Sequence, residues 1–302
     1  MPNDTDTELI TGRNPVLEAI KSGRPLNKVF IAGARRTEGG AGRGGVGQRT
    51  GGMGGSDGAF HNGGALHTDD ALRTGNHDFT DSTLRYIESL ARGRGIPVMY
   101  ADRAWLDKLA QGPCQGVAAY ASAKEYCDVR DILEYAGELN EKPLILVANG
   151  ILDPNNLGAM LRSAEAAGAH GVIIPKRNAA GLTGAAARAS AGAIEYIRVA
   201  RVANIAAALR DLKKQGVWIV GAEASGKQLY ADCDMSGATA IVVGGEGGGL
   251  GRLVSETCDY VVRLPMHGKI TSLNASAATA VLIYEALRQR RADIQSDKPA
   301  AD

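Results

Sequence analysis

No apolar run in these 302 residues approaches the ~20 residues a membrane-spanning helix needs, and the expectation is a soluble chain. Cysteine is scarce: Cys114, Cys127, Cys233 and Cys258 form no C-x-x-C pair, which argues against a disulfide scaffold and favours a reducing compartment. Net charge is nearly absent. The 34 Lys and Arg against 33 Asp and Glu leave +1, so no chain-wide basic field marks a nucleic-acid binder and any such site must be local. The start, Met1 to Glu8, is polar and acidic and lacks the marks of a secretory leader, so a cytoplasmic protein is expected.

What is present is length for about two domains on the usual scale of ~100 to 200 residues each. Asn14-Pro15 reads as a helix cap and first turn, with Val16, Leu17 and Ile20 on one face, and Val29 to Ala32 as a short strand. Residues 35 to about 80 are dominated by Gly with Arg, Thr, His and Asp, too little apolar surface to offset the entropy of ordering, and read as a disordered insertion. Order resumes with a helix from Ser82, a strand at Ile96 to Tyr100, a helix around Trp105, Leu106 and Leu109, and a strand at Gln115 to Tyr120. The expected division is an N-terminal domain over 1–123, a linker over 124–142 with a helical middle, and a second domain over 143–302.

In that second domain Leu144 to Val147 reads as a buried strand, and after Asp153-Pro154 the residues Leu157, Met160, Leu161 and Ala164 recur at helical spacing. Gly158 and Arg162, four apart, are expected to stack on one helix face, with Asn156 in the first turn beside unpaired amides. Ile241 to Val243 runs into the loop Gly244 to Leu250, and Tyr260 to Leu264 runs into Pro265 to Ala278. Three strands ending in special loops suggest a parallel α/β sheet with a ligand crevice at the strands' carboxyl ends. Glycines at 244 and 245 would let the backbone approach a flat ligand closely, while Glu246 would add one acceptor or fix the loop. Ser272, Asn274 and Ser276 can equally cap the last helix.

These segments resemble the SpoU/TrmH class of S-adenosylmethionine-dependent RNA ribose 2′-O-methyltransferases. D-P-x-N-x-G-x-x-x-R is met by Asp153 to Arg162, G-x-E-x-x-G-L by Gly244 to Leu250, and P-M-x-G-x-x-x-S-L-N-x-S by Pro265 to Ser276. Within the class the chain is most similar to the two-domain 23S ribosomal RNA guanosine 2′-O-methyltransferases. The resemblance implies an α/β fold: a C-terminal α/β-knot domain with a deep trefoil knot, and a small ribosomal-protein-like RNA-binding domain beginning at Gly12-Arg13-Asn14-Pro15. The family often has His where this chain has Cys114, in Cys114-Gln115-Gly116-Val117.

The resemblance further implies that Arg162, Asn156, Glu246 and Asn274 serve the chemistry, and that Gly244, Gly245, Leu264, Met266, Ser272, Leu273 and Asn274 hold S-adenosylmethionine. It implies a homodimer, with the apolar last helix as candidate surface, and ribosomal RNA as partner; transfer RNA, or a non-catalytic RNA-binding role, are the alternatives. A guanidinium normally keeps its proton, with a pKa above ~12, so for Arg162 an electrostatic role at the hydroxyl is preferred to that of a base. From Arg162 to Lys214 nine Lys and Arg stand against three Asp and Glu, a plausible phosphate track. Arg13, Arg162, Lys176, Arg177 and Arg188 are the RNA-binding candidates.

Two near-motifs carry no chemistry. Gly221 to Lys227 nearly spells a phosphate-binding loop, yet Gln228 stands where a hydroxyl must reach magnesium. Gly42 to Gly47 matches the dinucleotide pattern by composition alone. No metal is expected, since His61, His67 and His77 lie in the Gly-rich segment with no C-x-x-C nearby.

Overall fold

The computed structural model describes residues 7–33, 82–245 and 248–296. The Gly-rich insertion read at about 35–80 lies outside them, as does Glu246. Among the described residues, eleven strands form two sheets.

The first sheet has the order β1 (Thr7–Thr11), β4 (Val117–Ser122), β2 (Leu26–Ala32), β3 (Val98–Ala101). Helices α1 (Arg13–Ser22) and α2 (residues 82–93) bury Val16, Ile20, Leu84 and Ile87 with the sheet's Ile10, Val29, Ile31 and Ala119. A short α3 (Arg103–Leu109) sets Leu106 against Phe30 and Ala118 on the other face. Asn14 does not cap α1 as expected. The helix begins two residues earlier, with Gly12 at the cap and φ of 100°, a conformation that glycine adopts without a Cβ penalty.

The second sheet is wholly parallel, ordered β7 (Arg198–Val202), β6 (Gly171–Pro175), β5 (Leu144–Asn149), β10 (Thr239–Gly244), β8 (Trp218–Ala222), β11 (Tyr260–Arg263), β9 (Gln228–Leu229). Both faces are covered, as a parallel sheet requires. On one, Leu144, Leu146, Val172, Ile241 and Val243 meet α5 (Pro154–Ala166) and α9 (Ala275–Ser296). On the other, Ile145, Val147, Ile173, Ile219 and Val242 meet Ile132 of α4 (Val129–Glu138) and Leu209 and Leu212 of α7 (Ile205–Lys214). Strand alternation therefore divides the core into two layers with the sheet between them.

The expected linker is built into this architecture: the Cys127 amide donates to the Val199 carbonyl at 3.0 Å, and Ile132 of α4 is fully buried. The two sheets are also joined through α6 (Gly184–Ala189) and residues 190–197. Arg24 pairs with Glu195 at 2.7 Å and with Glu8 at 2.9 Å, and Arg188 donates to the Thr11 hydroxyl at 2.9 Å. A Cβ on Gly184 would lie 2.6 Å from the Leu9 carbonyl oxygen, so the backbones of the two parts are in direct contact there.

Candidate active site

Asp153 accepts the Asn155 amide at 3.0 Å and Pro154 takes the first turn of α5, so the chain leaves β5 and turns at once into a helix. Gly158 and Arg162 stand one turn apart on α5, as expected, but meet different surroundings: Gly158 is buried at the contact with α6, where a Cβ would lie 2.5 Å from the Ala186 carbonyl oxygen, whereas Arg162 is exposed. The glycine lets two helices meet; the arginine faces solvent and has no hydrogen bond or ion pair among the described residues.

The loops after β10 and β11 do converge. With the end of β8 they enclose a cavity of about 500 Å³, within the usual size of small-molecule sites. Gly244, Gly245, Leu264, Met266, Ser272 and Leu273, all expected to hold a cofactor, line it. The glycines are there for clearance: a Cβ on Gly244 would collide with the Gly249 carbonyl, and one on Gly245 with the Gly150 carbonyl. That second contact presses the glycine loop onto the turn leading to Asp153. Asn149 reinforces it by donating its amide to the Leu250 carbonyl at 2.9 Å.

Asn274 ties the third segment to the first. Its Nδ2 donates to Asn156 Oδ1 at 2.9 Å, while its own Oδ1 accepts the Ser276 amide at 2.9 Å and the Ala277 amide at 3.4 Å. One side chain thus caps α9 and bonds across to α5. Neither Asn156, Asn274 nor Arg162 is part of the cavity wall; the asparagines join the segments that frame it.

Sequence reading missed the third wall. Ala222 to Ser225, inside the stretch set aside as a failed phosphate loop, line the cavity, and Glu223 accepts from the Leu250 amide and the Ser255 hydroxyl, each at 3.1 Å. The available signal was a strand running into small residues at the same sheet end as the two recognised loops.

The basic track is interrupted. Lys176 and Arg177 are exposed on the loop after β6, which is held to the motif by the Ala180 amide donating to the Ile151 carbonyl at 2.7 Å. Arg201 donates to the Lys176 carbonyl at 3.0 Å. By contrast Arg198 lies 3.4 Å above the Tyr135 ring, and Lys213 pairs with Asp259 at 2.7 Å, both at the amino ends of strands and away from the cavity. Arg188 is bound to Thr11, and the Arg13 Nε donates to the Gln115 carbonyl at 3.2 Å, so both of these candidates hold the fold as well. No group of three or more His, Cys, Asp or Glu poised for a metal occurs among the described residues.

A family model described as the SpoU rRNA methylase family matches residues 143–284, and one described as RNA 2′-O ribose methyltransferase substrate binding matches residues 75–127. YacO of Bacillus subtilis, assigned to the TrmH family of tRNA/rRNA methyltransferases, is 48% identical over 201 residues, which is 67% of this chain and 81% of YacO. A Staphylococcus saprophyticus protein assigned to the same family is 36% identical over 282 residues, 93% of this chain and 96% of its own. Among solved structures, an RNA 2′-O ribose methyltransferase aligns with a TM-score of 0.66 at 25% identity over 95% of this chain and 90% of its own. The SpoU methyltransferase AviRb of Streptomyces viridochromogenes, solved with the cofactor AdoMet, aligns with a TM-score of 0.67 at 22% identity over 96% and 95%.

Proposed function

Because the chain belongs to the SpoU/TrmH family of RNA ribose 2′-O-methyltransferases, we propose that it methylates the ribose 2′-hydroxyl of a guanosine in 23S ribosomal RNA, with S-adenosylmethionine as donor. The observation that carries this is the bond from Asn274 to Asn156, which fastens the helix expected to receive the ribose to the loop that walls the cavity.

The cavity suits the cofactor. Gly244 and Gly245 let the loop close against the Gly249 and Gly150 backbone with no side chain between, the walls from Val243, Leu264, Met266 and Leu273 are apolar, and backbone edges offer donors and acceptors for an adenosine. When bound, S-adenosylmethionine supplies an electrophilic methyl carbon. The protein's part is positioning: Asn156, fixed by Asn274, orients the ribose so that its hydroxyl comes within the ~3 to 3.5 Å of a near-attack arrangement. Arg162 grips the adjacent phosphate and stabilises negative charge as it develops on the 2′-oxygen.

Arg162 is exposed and does not line the cavity of its own chain, which supports a homodimer with sites near the subunit interface. Val281 and Tyr284, 39% and 48% exposed on α9, supply an apolar contact for it. The insertion of β10 between β5 and β8 supports the deep trefoil knot. Residues 1–123 form the RNA-binding part and 143–302 the catalytic part in this reading. Four unpaired thiols accord with a cytoplasmic setting.

The test is transfer of a labelled methyl group to RNA from cells that lack the protein, followed by mapping of the label. Label on a guanosine ribose of the large ribosomal RNA is expected. Label on transfer RNA would move the substrate, and RNA binding without transfer would make the chain a binding protein.

A further inference from the structure

The face of the first sheet that α3 only partly covers carries a cluster outside the candidate active site. Phe30 and Met99 pair directly across β2 and β3, and Lys28 pairs with Tyr120 across β2 and β4. Trp105 of α3 stands 5.4 Å from the Phe30 ring, and Tyr120 stands 6.0 Å from it on the other side. The Lys28 ammonium lies 5.5 Å from the Phe30 centroid and 5.2 Å from that of Tyr120.

Phe30 is 6% exposed and forms the base of the cluster, but Trp105 is 47% exposed and Met99 49%. A half-exposed indole and a half-exposed Met that both neighbour Phe30, with a cation over the Phe30 and Tyr120 rings, are more apolar surface than this fold needs for its own core. Arg103 and Lys108, both exposed, lie on the same helix as Trp105. The nearby carboxylates are engaged: Asp102 accepts the Ala104 amide at 2.9 Å, and Asp107 accepts the Cys114 amide at 2.8 Å.

We propose that this face is a stacking platform for unpaired bases of the RNA substrate. Flat apolar rings at hand with Lys and Arg at the rim are what a single strand offers partners for, since every base has a π-face and every linkage a phosphate. Lys is depleted in the cores of protein–protein interfaces, so a cation lying over the rings favours the nucleic acid. The inference rests on the proposed function and deepens it: the substrate presents a single-stranded loop or end to the first domain, instead of being gripped there by duplex shape alone.

The chain has two tryptophans, so Trp218→Phe leaves Trp105 as sole reporter; Trp218 lies in β8 at the amino-terminal end of the second sheet, 52% exposed. A single-stranded oligoribonucleotide titrated into the full-length Trp218→Phe protein is expected to quench Trp105 fluorescence saturably, and a blunt duplex of the same sequence to quench it far less. Trp105→Ala should weaken single-strand binding between about five- and 150-fold, the range found for stacked bases. Trp105→Phe should restore most of that affinity, and Lys28→Met should lower the salt dependence by about one counterion.

In methyl transfer, Trp105→Ala should raise KM for RNA and leave kcat and S-adenosylmethionine affinity unchanged. Trp105→Ala affinity within twofold of wild type, equal quenching by duplex, or quenching that grows with protein concentration alone would each overturn the platform. The last would show that a second copy covers the face. Quenching and the Trp105→Ala loss observed without any methyl transfer would instead sink the proposed function and leave the platform standing as a binding site.

Discussion

Replacing Asn274 by Ala removes two things at once, and the structure lets them be weighed separately. Its Oδ1 caps α9 through the Ser276 and Ala277 amides, and losing such a cap costs about 1 kcal/mol. Its Nδ2 bond to Asn156 adds about 1 kcal/mol more. Asn274→Ala should therefore lose about 2 kcal/mol in denaturant unfolding. Asn274→Asp keeps a capping oxygen, which also suits the positive end of a helix, and loses only the donor. It should recover about half of the stability yet stay slow in methyl transfer, because the Asn274 bond to Asn156 is lost and small misplacements near a reacting centre cost about 100-fold. In a cycle with Asn156→Ala the coupling energy should be about 0.5 to 1.5 kcal/mol. Coupling near zero, or full transfer activity in Asn274→Asp, would refute the view that the two asparagines act as one unit.

Three further outcomes are expected. Arg162→Lys keeps the charge but not the fork, and since the residue is exposed and unpartnered among the described residues the fold should be unaffected; methyl transfer should fall about 100-fold, and an undiminished rate would remove Arg162 from the chemistry. Arg24→Met leaves the Glu8 carboxylate, 18% exposed, without its cation and the Glu195 carboxylate, 1% exposed, with only Lys124 at 3.9 Å, and should cost about 3 kcal/mol in thermal or denaturant unfolding; an unchanged stability would show that this ion pair does not hold the two sheets together. His170 is buried, and that burial holds its imidazole below the ordinary 6.5 despite the Glu141 carboxylate, with Arg290 adding to the effect. The unfolded chain then takes up this proton before the folded one, so its contribution is complete above about pH 6.5 and is lost as pH falls below it. His170→Asn, which keeps an acceptor for the Leu144 amide, should flatten stability against pH in that window, and an unaltered slope would assign it to other groups.

The β5 to α5 junction was legible because its signals are local: a continuous apolar strand, an Asp cap and a Pro in the first turn. The cavity glycines were legible for the same reason, Gly244 ending β10 and Gly245 following it. What escaped depends on residues far apart in the chain. Gly158 serves a helix that begins more than twenty residues later, α6, whose Ala-rich six residues carry no amphipathic stripe of their own. The positive charges between Arg162 and Lys214 were counted along the chain, but a parallel sheet sends them to opposite ends, and Lys213 finds Asp259 there. Glu223 was hidden inside a motif judged only against one template, although its carboxylate fixes the glycine loop. The very short β9 and the β1 edge strand give too few residues for a period to show.

The central claim is that the cavity walled by Gly244, Leu264 and Leu273 is where the methyl donor binds. Calorimetric titration of S-adenosylmethionine into the wild-type protein and into Gly244→Val tests it most directly, since a side chain at 244 must displace the Gly249 and Leu250 backbone of the loop that walls the cavity. Saturable one-site binding to the wild type that is lost in a Gly244→Val protein with native secondary structure is the predicted result. Equal affinity in both proteins would contradict the account.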